Sequence, residues 1–233
     1  MALLARADLE SLLRARRLDR TLTTAAPLAV PLGQEQAAPT GDSALDVRLG
    51  GGLRRGHLSE IVGARSSGRT SLLCRLLGAA TARREPVALV DTLDRFDPAS
   101  AATAGVDLAG LLWVRGTPLP PPGAGRPPDD WPVDRAIKAV SLVLQAGGFG
   151  LVALDLADVA PPAIRRVPFT TWLRLARLIE GTPTAGVLVA PAHVARSPAG
   201  ATIALEGAGC WSGESARSRL YRGITLATKV ANW

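Results

Sequence analysis

The stretch LSEIVGARSSGRTS, residues 58–71, decides the fold. Its apolar beginning predicts a short buried strand from Leu58 to Val62, and the residues from Thr70 to Ala80 predict a helix. Between the two, Gly63 and Gly68 have the spacing of a phosphate-binding loop, whose pattern is Gly, four residues, Gly, Lys and then Ser or Thr. Such a loop directs backbone N–H groups and a helix dipole toward an anion. The sequence therefore predicts the architecture of a nucleotide site.

The loop differs from its pattern at one residue, because arginine, Arg69, occupies the lysine position. Arginine keeps the positive charge, but it is bulkier and planar and cannot act as a point charge between two phosphates. Thr70 would place its hydroxyl on Mg²⁺, and the strand from Leu151 to Leu156 supplies an acidic partner, Asp155, that would reach the ion through water. The candidate phosphate-binding residues of the loop are Gly63, Ser66, Ser67, Gly68, Arg69, Thr70 and Ser71, with Thr70 and Asp155 as the magnesium pair.

Size and composition narrow the class of protein. The chain has 233 residues, of which 47% are apolar, and this is enough for one substantial α/β domain with an appendage. No apolar run approaches the roughly 20 residues of a membrane helix, and the arginine-bearing N-terminus is not a secretory signal. Cys74 and Cys210 are far apart and lack metal-ligand spacing, so we expect a reducing cytoplasm.

The net charge of +7 comes almost entirely from arginine, since Lys138 and Lys229 are the only lysines. A basic balance is typical of proteins that bind nucleic acid or an acidic partner. It is equally typical of a GC-rich genome, which encodes arginine in place of lysine. The charge alone leaves both interpretations open.

The chain divides into two predicted parts. Residues 1–40 are expected to form an amphipathic helix, over residues 3–19, and a linker rich in Thr, Ala, Pro and Gln. Such a helix docks on a neighbouring subunit or partner, or folds back on its own domain, and the sequence leaves both open. Residues 41–233 are expected to form the core domain, which carries the altered phosphate loop.

Strands alternate with helices along the core, which predicts a mainly parallel sheet flanked by helices. The tail alternates apolar and polar residues over Thr202–Leu205 and Tyr221–Val230, which predicts antiparallel strands at the C-terminal end. A proline-rich surface loop is expected over Thr117–Pro132. The other predicted strands are Pro86–Val90, Leu111–Val114, Leu151–Leu156 and Gly186–Ala190, and the helices are Pro98–Ala104, Val133–Gln145 and Pro168–Glu180.

Two segments, Gly52 to Thr70 and Val90 to Pro98, resemble the core of the bacterial RecA recombinase family. The spacing from Gly63 to Asp107 matches that family without a gap, and the likeness extends over about residues 45–194. The resemblance implies a RecA-like core of the P-loop NTPase fold, with a mainly parallel central sheet.

The resemblance also assigns roles to single positions. The phosphate-contacting lysine of the family falls on Arg69, the glutamate that polarises the attacking water falls on Leu93, and the aromatic residue that stacks on adenine falls on Ser100. Asp97 and Pro98, which lie beside the base in the family, are retained. Together the three losses predict a protein with no catalytic residues and no required cofactor, which binds ATP and Mg²⁺ only weakly.

Neighbouring positions do not restore these functions. Asp94 follows Leu93, but successive residues leaving a strand point to opposite sides, so Asp94 is a poor substitute. No glutamine occupies the nucleotide-sensing position after the fifth strand, where His193 lies nearby and is expected to be structural. The short segment from His193 to Thr202 leaves little room for a long DNA-binding loop, so arginines such as Arg165 and Arg166 would bind DNA weakly at most.

The short chain, leucine-rich N-terminal helix and abbreviated tail are most similar to the ImuA group of RecA-like accessory proteins. That group works in SOS-induced mutagenesis beside ImuB, an inactive homologue of Y-family polymerases. The resemblance implies a cytoplasmic adaptor of error-prone translesion synthesis, associated with the nucleoid when engaged, whose partners are an ImuB-like polymerase homologue and RecA. Two alternatives stay open, a slow DNA-dependent ATPase or recombinase-like protein and a cell-division inhibitor of the SulA type.

Overall fold

The computed structural model describes residues 36–117, 131–195, 199–213 and 218–232. The predicted N-terminal helix, nearly all of the linker and most of the proline-rich loop lie outside these residues. The described strands are β1 (Ala37–Ala38), β2 (Leu53–Arg54), β3 (Leu58–Gly63), β4 (Val87–Asp91), β5 (Leu111–Arg115), β6 (Leu151–Asp155), β7 (Ala185–Ala190), β8 (Ala201–Ser212) and β9 (Leu220–Asn232). The α-helices are α1 (Ser43–Leu49), α2 (Arg69–Ala82), α3 (Pro98–Thr103), α4 (Trp131–Ala146), α5 (Pro161–Arg166) and α6 (Phe169–Ile179), and a 3₁₀ turn spans Leu108–Gly110.

Seven strands form one sheet in the order β5-β4-β6-β7-β3-β8-β9. Every neighbouring pair is parallel except the last, because β9 returns antiparallel to β8. The predicted fold class is therefore confirmed, an α/β core with a mainly parallel sheet and an antiparallel pair at its C-terminal end. The strand that leads into the phosphate loop, β3, lies inside the sheet between β7 and β8.

Helices cover both faces of the sheet, which explains why its strands are apolar throughout rather than alternating. On β4, Leu89 packs into the cluster that contains the buried face of α2, while its neighbour Val90 packs into the cluster of α4, α5 and α6. Nine residues of α2 are buried, so the helix after the phosphate loop is fixed firmly against the sheet.

Several details differ from the sequence-based expectations. Strand β1 lies within the predicted linker, and β8 and β9 extend beyond the predicted tail strands. Helix α4 begins at Trp131 instead of Val133. Helix α5 was not predicted, because the two prolines at its start are typical of a loop. Proline is, however, well tolerated in a first helical turn. No element was predicted for Ser43–Leu49, where every second residue is apolar. It is a helix capped by Asp42, and Val47 is 82% exposed. Among the described residues, no helix has the length and hydropathy needed to cross a membrane.

Candidate phosphate-binding site

The loop between β3 and α2 is held in a closely packed conformation. A methyl group at Gly63 would meet the side chain of Ser67 and come within 2.6 Å of the Leu205 carbonyl on β8, so only glycine fits there. Gly68 precedes α2 with a φ of 91°, a left-handed conformation that glycine adopts without strain. Both glycines of the motif are therefore required by the geometry of the loop.

A pocket of about 340 Å³ opens where β4, β6 and the phosphate loop meet, at the carboxyl ends of the strands. This volume is near the lower end of the range for small-molecule sites, about 300–1,000 Å³. Of the predicted site residues, the pocket is lined by Ser66, Gly68, Arg69, Thr70, Ser71 and Asp155. Gly63, Ser67, Asp97 and Pro98 are not part of its lining.

Arg69 lines the pocket, yet it is only 6% exposed. Its Nη1 atom has no hydrogen-bond partner among the described residues, and the same is true of the buried Ser67 hydroxyl. Burial lowers the pKa of Arg69, and the nearby carboxylates of Asp155 and Asp158 oppose that effect. Buried donors are nearly always paired in native proteins, so the Nη1 atom of Arg69, which lines the pocket, indicates a site for an acceptor-rich ligand such as phosphate.

Asp155 faces the same pocket from the end of β6. Burial raises its pKa to about 6, and the negative charges of Asp91 and Asp158 add to this, while the Ala157 N–H and Arg69 act in the opposite direction. Among the described residues, no group of three or more His, Cys, Asp or Glu side chains is placed to hold a metal. A magnesium ion would therefore depend on Thr70, Asp155 and ligand phosphates, a ligand set that is ordinary for Mg²⁺.

Asp91, at the end of β4, was not predicted to have a role. Its carboxylate is 1% exposed and accepts hydrogen bonds from the backbone N–H groups of Arg95 (3.0 Å) and Phe96 (2.8 Å) and from Trp113 Nε1 (3.3 Å). These bonds fix the segment after β4, which forms one wall of the pocket. In the sequence, the only indication of this role is that an acidic residue ends an apolar strand.

Leu93 forms part of that wall and is 6% exposed. The neighbouring Asp94 is not part of the pocket lining, and its carboxylate receives two hydrogen bonds of 2.8 Å from Arg115. The hydrogen bond from Arg115 lowers the pKa of Asp94. The pocket wall thus presents a hydrocarbon side chain at this point, and the adjacent carboxylate is held by Arg115.

Asp97 and Ser100 form the N-terminal cap of α3. The Asp97 carboxylate accepts hydrogen bonds from the Ser100 N–H (3.1 Å) and from the Ser100 hydroxyl, and these bonds lower the pKa of Asp97. Pro98 is the first residue of the helix. This is an ordinary helix cap, so the geometry gives these residues a structural role.

Glu60, in the middle of β3, was also missed by the sequence analysis. It is 2% exposed and accepts hydrogen bonds from His193 Nδ1 (2.7 Å), from the Val194 N–H (3.0 Å) and from the Ala195 N–H. The segment after β7 is thereby fixed to the strand that carries the phosphate loop. His193 takes part in this structural contact, and the signal for it was an acidic residue within an apolar strand.

The parallel strand order, the loop after β3 and the pocket at the strand ends are consistent with an α/β core like that of RecA. In agreement, residues 30–117 match the family model of the RecA N-terminal domain. The chain is similar to Protein RecA of Frankia casuarinae, with 34% identity over 130 residues, 55% of this chain and 34% of that protein. Protein RecA of Chlorobium chlorochromatii is 35% identical over 55% of this chain and 33% of that protein. Protein RecA of Streptomyces ambofaciens is 34% identical over 55% of this chain and 31% of that protein. The matched segment thus spans about a third of the length of these relatives.

Proposed function

We propose that this chain is a RecA-like accessory protein of error-prone translesion DNA synthesis, with the role of the ImuA group in the SOS response to DNA damage. It acts through protein contacts with an ImuB-like polymerase homologue and with RecA, and it does not turn over ATP usefully. The similarity to RecA supports a function in DNA repair or recombination, and the composition of the pocket supports the absence of turnover.

Leu93 is the observation that carries the proposal. It lines the pocket at the position where the resemblance places the water-polarising carboxylate, and a hydrocarbon side chain neither accepts a proton nor orients a water molecule. Loss of a general base lowers a rate by about 10²–10⁴-fold. Asp94 does not replace it, because its carboxylate is bound to Arg115 outside the pocket lining.

The residues present still fit a phosphate group. Gly68, Arg69, Thr70 and Ser71 would hold phosphate oxygens, and Thr70 with Asp155 would hold Mg²⁺. When bound, ATP and Mg²⁺ would supply a polyphosphate and its counter-charge. The unpaired Nη1 atom of Arg69 would then gain a partner. Binding without turnover would stabilise the loop and leave the chain suited to act as an adaptor.

Co-sedimentation with RecA filaments tests the adaptor role. The full chain is compared with a variant that lacks residues 1–35, which leaves β1 and the buried Thr40 in place. We expect the full chain to sediment with the filaments and the shortened chain to remain in the supernatant, still folded as judged by a cooperative urea unfolding transition. If both forms sediment equally, the N-terminal segment is not the contact with RecA. If neither form sediments, RecA is not a partner.

A slow DNA-dependent ATPase is the second candidate, and one observation favours it. Thr70 and Asp155 line the same pocket as the unpaired guanidinium of Arg69, so the elements that bind Mg²⁺ and phosphate are together. Phosphate release in the presence of single-stranded DNA separates this candidate from the adaptor.

A further inference from the structure

A second cavity, of about 900 Å³, lies at the amino-terminal ends of β4, β6 and β7, at the opposite end of the sheet from the phosphate loop. Its walls are mainly apolar and are formed by Pro39, Pro86, Phe149 and Pro183 together with glycine backbone. The cavity is large enough for one or two side chains of a bound segment. No function described above uses it.

The floor of this cavity is a cluster of three charged residues, Arg55, Glu85 and Arg83. Glu85 accepts hydrogen bonds from Arg55 Nη2 (2.6 Å) and from Arg83 Nε (3.0 Å) and Nη2 (3.1 Å). Arg55 also donates to the carbonyls of Ala37 (3.2 Å), Gly150 (3.2 Å) and Pro183 (2.9 Å). The cluster is therefore rigid, and its two arginines and one glutamate leave an excess of one positive charge.

Arg84 adds a second positive charge at the rim. It is exposed, and within the described part of the chain no hydrogen bond or ion pair involves its side chain. Its φ is +60°, a left-handed conformation that costs a non-glycine residue roughly 1–2 kcal/mol. This turn ends α2, where the Glu85 N–H donates to the Ala80 carbonyl (3.2 Å), and glycine is the ordinary residue at such a helix end. Arginine at this position places a cation at the rim of the cavity.

We infer that this cavity is a docking site for an acidic segment of a partner protein. One apolar side chain of that segment lies between Phe149 and the prolines, and flanking carboxylates face Arg84 and Arg83. Short peptides bind grooves in this way, with an apolar anchor for affinity and charges for specificity. The inference does not depend on whether the phosphate loop binds a nucleotide.

Two other occupants fit the charges and the walls less well. The chain's own residues 1–20 contain five arginines and three acidic residues, so their net charge has the same sign as the cavity. A nucleic acid backbone offers phosphates but no apolar side chain for the walls, and it would meet the Glu85 carboxylate in the floor. An acidic segment with an apolar anchor satisfies both features.

Fluorescence anisotropy with the full chain tests this inference. The probes are a fluorescein-labelled peptide EDLFDE, its charge-reversed analogue KKLFKK, an analogue without the anchor, EDGGDE, and an oligo-dT strand. We expect EDLFDE to bind at least about tenfold more tightly than the other three probes, and Arg84→Gly to weaken it about tenfold, as for one charge-assisted hydrogen bond. Arg65→Ala is the matched control, because Arg65 is 85% exposed at the phosphate-loop end.

Arg84→Gly keeps the test free of folding artefacts, since glycine suits the left-handed turn and the variant should be at least as stable as the wild type. Unchanged binding of EDLFDE by Arg84→Gly, equal binding of KKLFKK, or no binding of EDLFDE would each overturn the inference. Binding of oligo-dT that is lost in Arg84→Gly would assign the cavity to nucleic acid instead.

Discussion

The charged groups at the two ends of the central sheet have opposite environments. At the carboxyl end, the guanidinium of Arg69 is buried with Nη1 unpaired, and the pKa of Asp155 is raised to about 6, chiefly by burial. At the amino end, burial also acts to raise the pKa of Glu85, but hydrogen bonds from Arg83 and Arg55 outweigh it and lower that pKa. The first arrangement destabilises the charged groups, and the second satisfies them.

This difference distinguishes a pocket that contains an unpaired buried group from a cluster whose charged groups are paired. Proteins leave buried polar groups unpaired mainly where a ligand or reaction needs them, and they satisfy such groups elsewhere. The carboxyl end therefore retains the features of a phosphate site, in which Leu93 presents a hydrocarbon side chain. At the amino end the paired cluster is rigid, and the neighbouring Arg84 has a left-handed φ of +60°.

The largest expected effect comes from breaking the satisfied cluster. Arg55→Ala would leave the Glu85 carboxylate with one arginine and would remove a side-chain donor from the Ala37, Gly150 and Pro183 carbonyls, of which Gly150 keeps the Ala185 N–H. We expect the free energy of unfolding to fall by about 3 kcal/mol in urea titrations, the lower limit for a broken buried ion pair, because both side chains are only partly buried. Arg54→Ala is the control, because Arg54 lies outside the cluster, and equal losses in both variants would contradict the account.

Asp155→Asn should raise the free energy of unfolding, whereas Arg55→Ala lowers it. The folded pKa of about 6 lies above the ordinary aspartate value of 3.8, so the cost of the buried carboxylate is absent below about pH 4 and complete above about pH 6. At 1.36 kcal/mol per pKa unit, the cost is at most about 3 kcal/mol. Without Mg²⁺, Asp155→Asn should therefore be more stable than the wild type at pH 7.5, by a margin that shrinks toward pH 4.

Urea unfolding at pH 4.5 and 7.5 measures this margin. The exposed Asp134→Asn is the control and should change stability by no more than about 0.5 kcal/mol at either pH. A less stable Asp155→Asn at pH 7.5 would mean that the carboxylate is paired rather than desolvated.

Arg69→Ala should weaken anion binding rather than folding. The variant loses the only buried cation that lines the pocket among the described residues, and a charge-assisted hydrogen bond contributes about 2 kcal/mol, or roughly 30-fold in affinity. Calorimetric titration with pyrophosphate measures this, and Arg69→Lys should retain part of the affinity because it keeps the charge. Identical affinities for all three proteins would show that the anion binds elsewhere.

The smallest effect is a gain in stability at the rim of the amino-end cavity. Arg84→Gly removes the left-handed strain and should raise the free energy of unfolding by about 1 kcal/mol. Arg84→Ala removes the same side chain but keeps the strain, so it should show no such gain. A loss of stability in Arg84→Gly would mean that the arginine has a stabilising contact in solution.

The sequence predicted most of the fold because local patterns determine it. Five apolar strands alternate with helices, and the positions of Gly63 and Gly68 identify the turn between β3 and α2. The N-terminal turn of α4 and the whole of α5 were missed, since proline is common both in loops and in first helical turns. Helix α1 escaped prediction because its apolar residues have a period of two.

The candidate site was predicted only in part, for a physical reason. The loop residues and Asp155 are close in space because parallel strands end at the same edge of a sheet. Asp91 and Glu60 can be noticed as acidic residues of apolar strands, but their partners cannot, because Trp113 and Ala195 lie 22 and 135 residues away in sequence. The Arg55–Glu85–Arg83 cluster depends on Arg55 and Glu85, which are 30 residues apart in sequence.

The central claim is that the phosphate loop persists as a scaffold without catalysis, and ATP hydrolysis tests it most directly. Phosphate release is measured at saturating ATP and Mg²⁺, with and without single-stranded DNA, for the wild type, Arg69→Ala and Leu93→Glu. The account predicts that the wild type and Arg69→Ala release phosphate at the same background rate, while Leu93→Glu, which restores a carboxylate to the pocket wall, rises above it. A clear wild-type rate that disappears in Arg69→Ala would contradict the claim and establish the chain as an ATPase.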